Sequence, residues 1–272
     1  ITPTLESSHV SGFFGLSVAV DGDRVVVGDP TEFDGSSDTG RVYVFDRSGQ
    51  SWSQATVQNQ TSDSGAYLGY SVSLDGDFFA AGAPGVFTGD GSDGRVYVFE
   101  RQGSGDWDIR GSEINGFSND YSGYSVSLDG SDLAVGWPDA DPGGNDEGRA
   151  RMYSFSNGSW NETQALELNS SQYEGNDAFG RAIALEGDRL IVARPGVEAG
   201  FSGNLSTASR SGIEYYSRSG NTWSRGSGFN PSNNDELYTG FDVDVSGELF
   251  VVGAPTRNGN ARRDRFFIIR RQ

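Results

Sequence analysis

The stretch FGLSVAVDGDRVVVGDP at residues 14–30 decides the fold, because the chain repeats its pattern five times. Each copy contains a glycine, an alternating apolar segment, a turn centred on glycine, a second apolar segment and a closing Gly-x-Pro or Ala-x-Pro. The opening glycines are spaced 54, 54, 57 and 60 residues apart and are Gly15, Gly69, Gly123, Gly180 and Gly240. A period of this length is typical of repeat architectures in which each repeat is one supersecondary unit.

Each of the first four repeats predicts four strands, A to D, because alternating apolar segments are separated by turn residues. Asp21-Gly22 between strands A and B is typical of a two-residue hairpin turn. The predicted strands are residues 16–20, 24–28, 41–45 and 52–57; 70–74, 78–82, 95–99 and 107–114; 124–128, 132–136, 149–155 and 160–168; and 181–185, 189–193, 212–216 and 223–229.

The fifth repeat supplies only three predicted strands, at residues 241–245, 248–253 and 265–269. Residues 1–6 precede the first repeat at the offset that strand D has before every later repeat. We therefore predict an all-β, five-bladed β-propeller of four-stranded antiparallel blades whose last blade is closed by the N-terminal strand. The predicted single domain spans 1–272, with repeats at about 13–58, 68–114, 122–168, 179–229 and 239–272 plus 1–6.

The composition excludes several classes of function. The chain has no cysteine, which excludes disulfides and thiolate chemistry, and its only histidine is His9, which leaves no basis for a Ser-His-Asp triad. The net charge of −18 disfavours nucleic acid as a partner. No apolar run approaches the length of a transmembrane helix, so we expect no membrane insertion.

The repeat motifs resemble those of a known family. Phe14-Gly15 with Gly28-Asp29-Pro30, and the closing turns Gly82-Ala83-Pro84 and Gly253-Ala254-Pro255, resemble the FG-GAP repeats of integrin α-subunit propellers. Trp52-Ser53-Gln54 looks like the variant common in secreted microbial proteins. The resemblance covers essentially the whole chain and implies a propeller that is extracellular or on the cell surface, with a role in adhesion.

Only one loop is a candidate calcium site, and a solvated acidic loop is the interpretation that we favour for it. The A–B hairpins are too short to supply the six to eight oxygens that calcium takes, so the calcium site of the integrin-type repeats does not carry over. The B–C loop of the third repeat has carboxylates and an amide on a turn-rich backbone: Asp139, Asp141, Asn145, Asp146 and Glu147. Ca²⁺ is the one cofactor that the sequence suggests.

The innermost strand changes character in the last two repeats. Asp242 and Asp244 stand where earlier repeats have serine or alanine, and the neighbouring repeat offers Arg181 and Arg194. Carboxylates on an inner strand are costly unless they are paired. We therefore predict structural ion pairs at this blade seam, with a polar ligand site as the alternative.

The middle residue of the closing turn varies and includes Asp29, Trp137 and Arg194. If these turns share one face, they expose an aspartate, a tryptophan and an arginine that suit a sugar or a peptide. Five separate solvated corners are the alternative. The chain also has five N-glycosylation acceptor sequons, which are compatible with a secreted glycoprotein, at Asn59, Asn157, Asn161, Asn169 and Asn204.

Three functions follow as hypotheses. The first is a non-catalytic extracellular binding or adhesion module, with a protein or carbohydrate ligand bound by the loops. The second is a structural subunit of an extracellular filament or surface coat, in which the partners are copies of the same chain. The third is a glycosidase-like enzyme that uses paired carboxylates.

Overall fold

The computed structural model describes residues 12–32, 38–60, 63–87, 91–117, 120–140, 147–168, 177–195, 211–230, 239–255 and 265–270. Within these residues the chain forms twenty β-strands in five antiparallel sheets and no helix. Accordingly, no helix in this part of the chain is long and apolar enough to cross a membrane.

The strands follow one another as hairpins within each sheet. The first sheet contains β1 (Ser17–Asp21), β2 (Arg24–Asp29), β3 (Arg41–Ser48) and β4 (Ser51–Gln58). The second contains β5 (Ser71–Asp75), β6 (Phe78–Ala83), β7 (Arg95–Arg101), β8 (Trp107–Ile109) and β9 (Ile114–Asn115). The third contains β10 (Ser125–Asp129), β11 (Asp132–Trp137), β12 (Arg149–Ser156) and β13 (Ser159–Leu166). The fourth contains β14 (Ile183–Glu186), β15 (Arg189–Arg194), β16 (Gly212–Ser219) and β17 (Thr222–Arg225), and the fifth β18 (Val243–Ser246), β19 (Leu249–Ala254) and β20 (Arg265–Arg270).

The five sheets are the blades of a five-bladed β-propeller, which confirms the predicted fold class. The described part of the last blade has three strands, β18 to β20. Its predicted fourth strand, residues 1–6, lies outside the described residues, so the closure of this blade stays a prediction.

The chain divides into two compact units. One contains Ile1–Ser131 and Phe155–Trp160, and the other contains Asp132–Ser154 and Asn161–Gln272. The prediction of one domain over the whole chain stays a prediction.

Glycines let neighbouring blades approach closely in the first unit. The Gly69 amide donates to the Gly82 carbonyl at 2.9 Å, which joins the opening glycine of the second repeat to its closing turn. Gly69 has φ +85°, a conformation that favours glycine. A Cβ on Gly28 would lie 1.9 Å from the Gly69 carbonyl oxygen, so blade one has no room for a side chain there.

Polar groups also link blade one to blade two, and blade two to β10. The Ser17 hydroxyl donates to the Gly69 carbonyl at 2.7 Å, and the Gly76 amide donates to the Asp21 carboxylate at 2.7 Å. Between blade two and β10, the equivalent Ser71 and Asp75 make the same two bonds. The repeated serine and hairpin aspartate are therefore structural.

The blades bury apolar side chains between them. In the first unit, Val26 and Val44 of blade one pack with Phe79 and Phe99 of blade two. In the second unit, one cluster joins blades four and five and contains Ala182, Ala184, Ile191, Ala193, Ile213, Val243, Phe250 and Val252. Burial of apolar surface of this kind is the main stabilising contribution to the fold.

One predicted strand is divided in two. Residues 107–114 form β8 and β9, both paired with β7, with Gly111 at φ +78° between them. The Arg110 guanidinium lies 3.9 Å from the centroid of the Phe78 ring and 4.1 Å from that of Phe155. The Arg110 amide still donates to the Val98 carbonyl of β7 at 2.7 Å, so the ladder is interrupted after Arg110, at Gly111. Desolvation of its guanidinium lowers the pKa of Arg110.

Candidate functional site

The hairpin end of blade four contains a cleft of about 470 Å³. It lies where the β14–β15 hairpin and the end of β16 meet the β18–β19 hairpin of blade five. We call it the blade-four cleft. Its lining residues are Glu186, Gly187, Asp188, Arg189, Tyr215, Ser217, Arg218 and Gly247.

The same position in blade one shows how an arginine is held there. The Arg24 Nε lies 2.8 Å from Asp46 Oδ1, and its Nη1 donates to the Gly76 carbonyl at 2.8 Å and lies 3.2 Å from Asp77 Oδ1. The guanidinium also lies over the Trp107 ring, 5.0 Å from its centroid. Arg24 is therefore held by its own blade and by the next one.

Arg189 occupies the position of Arg24 in the fourth repeat, but its surroundings differ. In the strand register, Arg24 lies opposite Asp46, whereas Arg189 lies opposite Ser217. A serine is shorter and carries no charge. Among the residues that the structure describes, the Arg189 guanidinium has no hydrogen-bond or ion-pair partner.

The contacts from the next blade are also replaced. Glu248 stands at the position of Asp77, and its Oε2 lies 4.0 Å from Nε of Arg270. The described part of blade five has no strand equivalent to β8, which carries Trp107 in blade two. The blade-four cleft thus occupies the place where blades one and two hold their carboxylates and tryptophan.

The second arginine of the cleft, Arg218, is already paired with carboxylates of the protein. Arg218 forms ion pairs with Asp132 and with Asp188, the latter at 2.9 Å, and lies 5.2 Å from the centroid of the Trp223 ring. Burial lowers the pKa of Arg218, but its hydrogen bonds to the two aspartates outweigh burial and raise the pKa above its usual value. Arg218 is therefore a fixed wall of the cleft.

The remaining walls supply acceptors and an aromatic ring. The Glu186 carboxylate accepts a hydrogen bond from the Gly247 amide of blade five. The Tyr215 ring packs edge-on against Phe250, with the centroids 5.5 Å apart. The cleft therefore combines an uncommitted cation, two carboxylates and an anchored tyrosine.

Comparison with known proteins supports the fold that positions this cleft. Residues 9–45 match the FG-GAP repeat. A crystal structure of a protein from Lactobacillus plantarum is similar with a TM-score of 0.57 and 13% sequence identity, over 94% of this chain and 70% of that chain. At this identity the likeness shows the fold alone. No curated protein sequence matches the chain.

The closing turns of the repeats do not form the exposed face that we predicted. Asp29, Trp137 and Arg194 are 1%, 0% and 3% exposed, respectively, so their predicted exposure is wrong. Each is the last residue of strand B, where its side chain packs between strands. Arg151, for example, covers the Trp137 ring at 4.1 Å from its centroid.

Arg194 belongs to a buried charge network within blade four. Its Nε lies 2.9 Å from Glu214 Oε1, and the other carboxylate oxygen lies 2.8 Å from Arg225 Nη2. Opposite Arg194 is Gly212, where a Cβ would lie 2.6 Å from the Phe229 carbonyl oxygen and 3.4 Å from the Arg194 Nη2. The Phe229 carbonyl and the arginine thus both lie close to the space that glycine leaves open.

The inner-strand aspartates have other partners than those predicted. Asp242 accepts a hydrogen bond from the Val243 amide at 3.0 Å, and Asp244 accepts one from the Val245 amide at 2.9 Å. Arg181 lies over the ring of Phe241, 4.3 Å from its centroid. Arg194 pairs with Glu214, so the predicted ion pairs of Arg181 and Arg194 with Asp242 and Asp244 are not formed among the described residues.

The predicted calcium loop falls mostly outside the described residues. Asp141, Asn145 and Asp146 lie outside them, while Asp139 is partly buried and Glu147 is buried, at the two ends of the loop. In the part of the chain that the structure describes, no group of three or more metal-ligating side chains occurs. Calcium binding by the loop stays a prediction.

The predicted glycosylation sites are partly described. Asn59, Asn157 and Asn161 are exposed, and Asn157 lies in the β12–β13 turn with φ 53°. Asn169 and Asn204 lie outside the described residues. Glycosylation stays a prediction at all five positions.

Proposed function

We propose that the chain is a non-catalytic, extracellular binding module that holds a polar ligand in the blade-four cleft. The observation that carries the proposal is Arg189, a cation without a protein partner among the described residues, which lines a cleft beside Ser217 and Tyr215. A charged side chain whose repeat counterpart is fully paired is well placed to bind a ligand. The FG-GAP resemblance and the N-glycosylation sequons support the extracellular assignment.

Filling the cleft tests this proposal. Ser217→Trp would place a large ring in the space beside Arg189, whereas Ser219→Trp adds the same ring to the same strand outside the cleft lining. We expect wild-type protein and Ser219→Trp to bind the same members of immobilised glycan and peptide arrays. We expect Ser217→Trp to lose that binding while its unfolding midpoint stays close to that of Ser219→Trp.

Two results would contradict a binding role for the cleft. One is an array on which neither glycans nor peptides are retained by the wild-type protein. The other is retention that the two tryptophan variants share equally, because it would place the ligand elsewhere.

The enzyme hypothesis receives less support from the cleft. Its carboxylates are engaged, since Glu186 accepts from the Gly247 amide and Asp188 pairs with Arg218. Glycoside hydrolysis needs one carboxyl as a proton donor and another as nucleophile or base. We therefore expect retained glycans to be recovered intact after prolonged incubation, and release of reducing ends would contradict the non-catalytic assignment.

A structural subunit is the second candidate, favoured by an apolar row on blade five. Val251, Phe266 and Ile268 are 42%, 69% and 64% exposed. Exposed apolar rows near a strand edge promote association between copies. Sedimentation velocity across micromolar concentrations tests it: a subunit assembles and Phe266→Ser reduces assembly, whereas a binding module stays discrete.

A further inference from the structure

The chain itself shows how an arginine at this repeat position is satisfied. In blade one the Arg24 guanidinium is paired with the Asp46 carboxylate directly across the sheet, with N–O at 2.8 Å. Guanidinium groups match carboxylates because their N–H donors form a planar fork. Blade four keeps the arginine as Arg189 and replaces the acid by Ser217.

We propose that the blade-four cleft binds a uronic acid residue of a carbohydrate, with its carboxylate on Arg189. The inference rests on the proposed function and names its ligand class. The ligand carboxylate occupies the place that the Asp46 carboxylate has in blade one. Ser217 leaves that place open, and its hydroxyl offers a further hydrogen bond to the ligand.

The rest of the lining distinguishes an acidic sugar from an acidic peptide. A uronic acid carries one carboxylate and several hydroxyls, and hydroxyls donate to carboxylate acceptors. Glu186 and Asp188 can still accept such bonds at the hairpin, because each uses one carboxylate oxygen for the Gly247 amide or for Arg218 and has a second oxygen. An acidic peptide brings several neighbouring carboxylates, and the net charge of −18 repels a run of them more strongly than the single carboxylate of one uronic acid residue.

The aromatic wall fits the same ligand. Tyr215 is held by its edge-on contact with Phe250 at 5.5 Å between centroids, so the orientation of its ring is fixed before a ligand enters. A rigid ring loses little conformational entropy on binding. A sugar ring can thus contact Tyr215 while its carboxylate reaches Arg189.

Titration with small probes tests the proposal. We expect wild-type protein to bind D-glucuronate about ten- to a hundredfold more tightly than D-glucose, the range that a hydrogen bond to a charged group supplies. Arg189→Met should abolish this preference. Ser217→Asp should abolish it as well, because it re-creates the pair seen between Arg24 and Asp46. Ser219→Asp adds the same charge to the same strand outside the cleft lining and should keep the preference.

Thermal unfolding checks that the designed pair forms. Ser217→Asp should raise the unfolding temperature, and Arg189→Met should cancel that rise in the double variant. A loss of binding without this coupling would mean that the new aspartate only repels the anion, and would overturn the role of Arg189.

The remaining outcomes separate this inference from the proposed function. Equal affinity for glucuronate and glucose overturns the carboxylate contact but leaves a binding role at the cleft. N-acetyl-aspartate bound as tightly as glucuronate overturns the sugar assignment in favour of an acidic peptide. Failure of every array member to bind overturns the proposed function itself.

Discussion

Blades one and four carry an arginine at the same position of the same repeat and surround it differently. Arg24 is paired with Asp46 and covered by Trp107, whereas Arg189 faces Ser217 and opens into a cleft. The arginine is thus not a signature of a site by itself. We propose that the binding site arises because blade four keeps the arginine of the pair seen in blade one and loses its carboxylate.

The opposite substitution occurs at the other end of the same strands. In blade one Arg41 begins β3 and lies 2.9 Å from the buried Glu32. In blade four the equivalent of Arg41 is Gly212, and the guanidinium comes instead from Arg194 on the facing strand. Here the repeat has lost one arginine and gained another, and Glu214 keeps the charge paired.

The largest effect that we expect comes from breaking this buried network. Glu214→Gln leaves the guanidinium groups of Arg194 and Arg225 without their carboxylate in a site where Glu214 is 2% exposed. Removing one partner of a buried pair costs about 3–5 kcal/mol. Denaturant unfolding should therefore show a large loss of unfolding free energy.

The matched control is an ion-paired glutamate at the surface. The Glu167 side chain is 41% exposed and lies 2.7 Å from Arg149, so Glu167→Gln should cost at most about 1 kcal/mol. Equal losses of unfolding free energy for Glu167→Gln and Glu214→Gln would show that burial does not determine the cost of removing the carboxylate.

The next effect concerns the glycines of the closing turns. Gly28→Ala would place a Cβ 1.9 Å from the Gly69 carbonyl oxygen, and the two blades would have to separate. Overpacking of this severity costs about 3 kcal/mol or more. A Cβ on the equivalent Gly253 would lie 3.5 Å from its nearest neighbour, so Gly253→Ala should change the unfolding midpoint little. Similar midpoints for the two variants would contradict the close approach of blades one and two.

The repeat made most of the fold predictable, because its signals are local. Alternating apolar residues and glycine turns predicted residues 24–28, where β2 spans Arg24–Asp29. The break in the last strand of blade two was not predictable in the same way. It falls at Gly111, and the Arg110 guanidinium beside it lies against the rings of Phe78 and Phe155, which are distant in sequence.

The candidate site was less predictable for a similar reason. The sequence pointed to variable residues in the closing turns, but Trp137 and its counterparts pack between strands, which only the tertiary structure reveals. A signal for the cleft was present: aligning the repeats places Arg189 on Arg24 and Ser217 on Asp46. Recognising this difference as a site required the strand register, which places Arg24 opposite Asp46 and Arg189 opposite Ser217.

The innermost strands of blades one and five also carry different side chains at an equivalent position. Ser17 in blade one donates to the Gly69 carbonyl at 2.7 Å, while the equivalent Asp242 in blade five accepts from the adjacent Val243 amide at 3.0 Å. The serine links two blades, and the aspartate makes a local bond. An ionised carboxylate at this position is therefore a small cost to stability.

The smallest effect that we expect is on the unfolding temperature, and its pH dependence measures the cost of the Asp242 charge. Loss of hydration raises the pKa of Asp242, its bond to the Val243 amide opposes the rise, and the charge of Asp244 adds to it. A folded-state pKa above the unfolded value means that protonated Asp242 favours folding, and that this contribution is lost as pH rises through the folded pKa. Asp242→Asn keeps the acceptor oxygen and removes the charge, so it should unfold at a slightly higher temperature than wild type at pH 7. The gain should shrink as the pH falls below the raised pKa.

Asp108→Asn is the control for the net charge of the chain, because it removes the same charge from an exposed strand position. An equal gain in both variants would assign the effect to the net charge and not to Asp242.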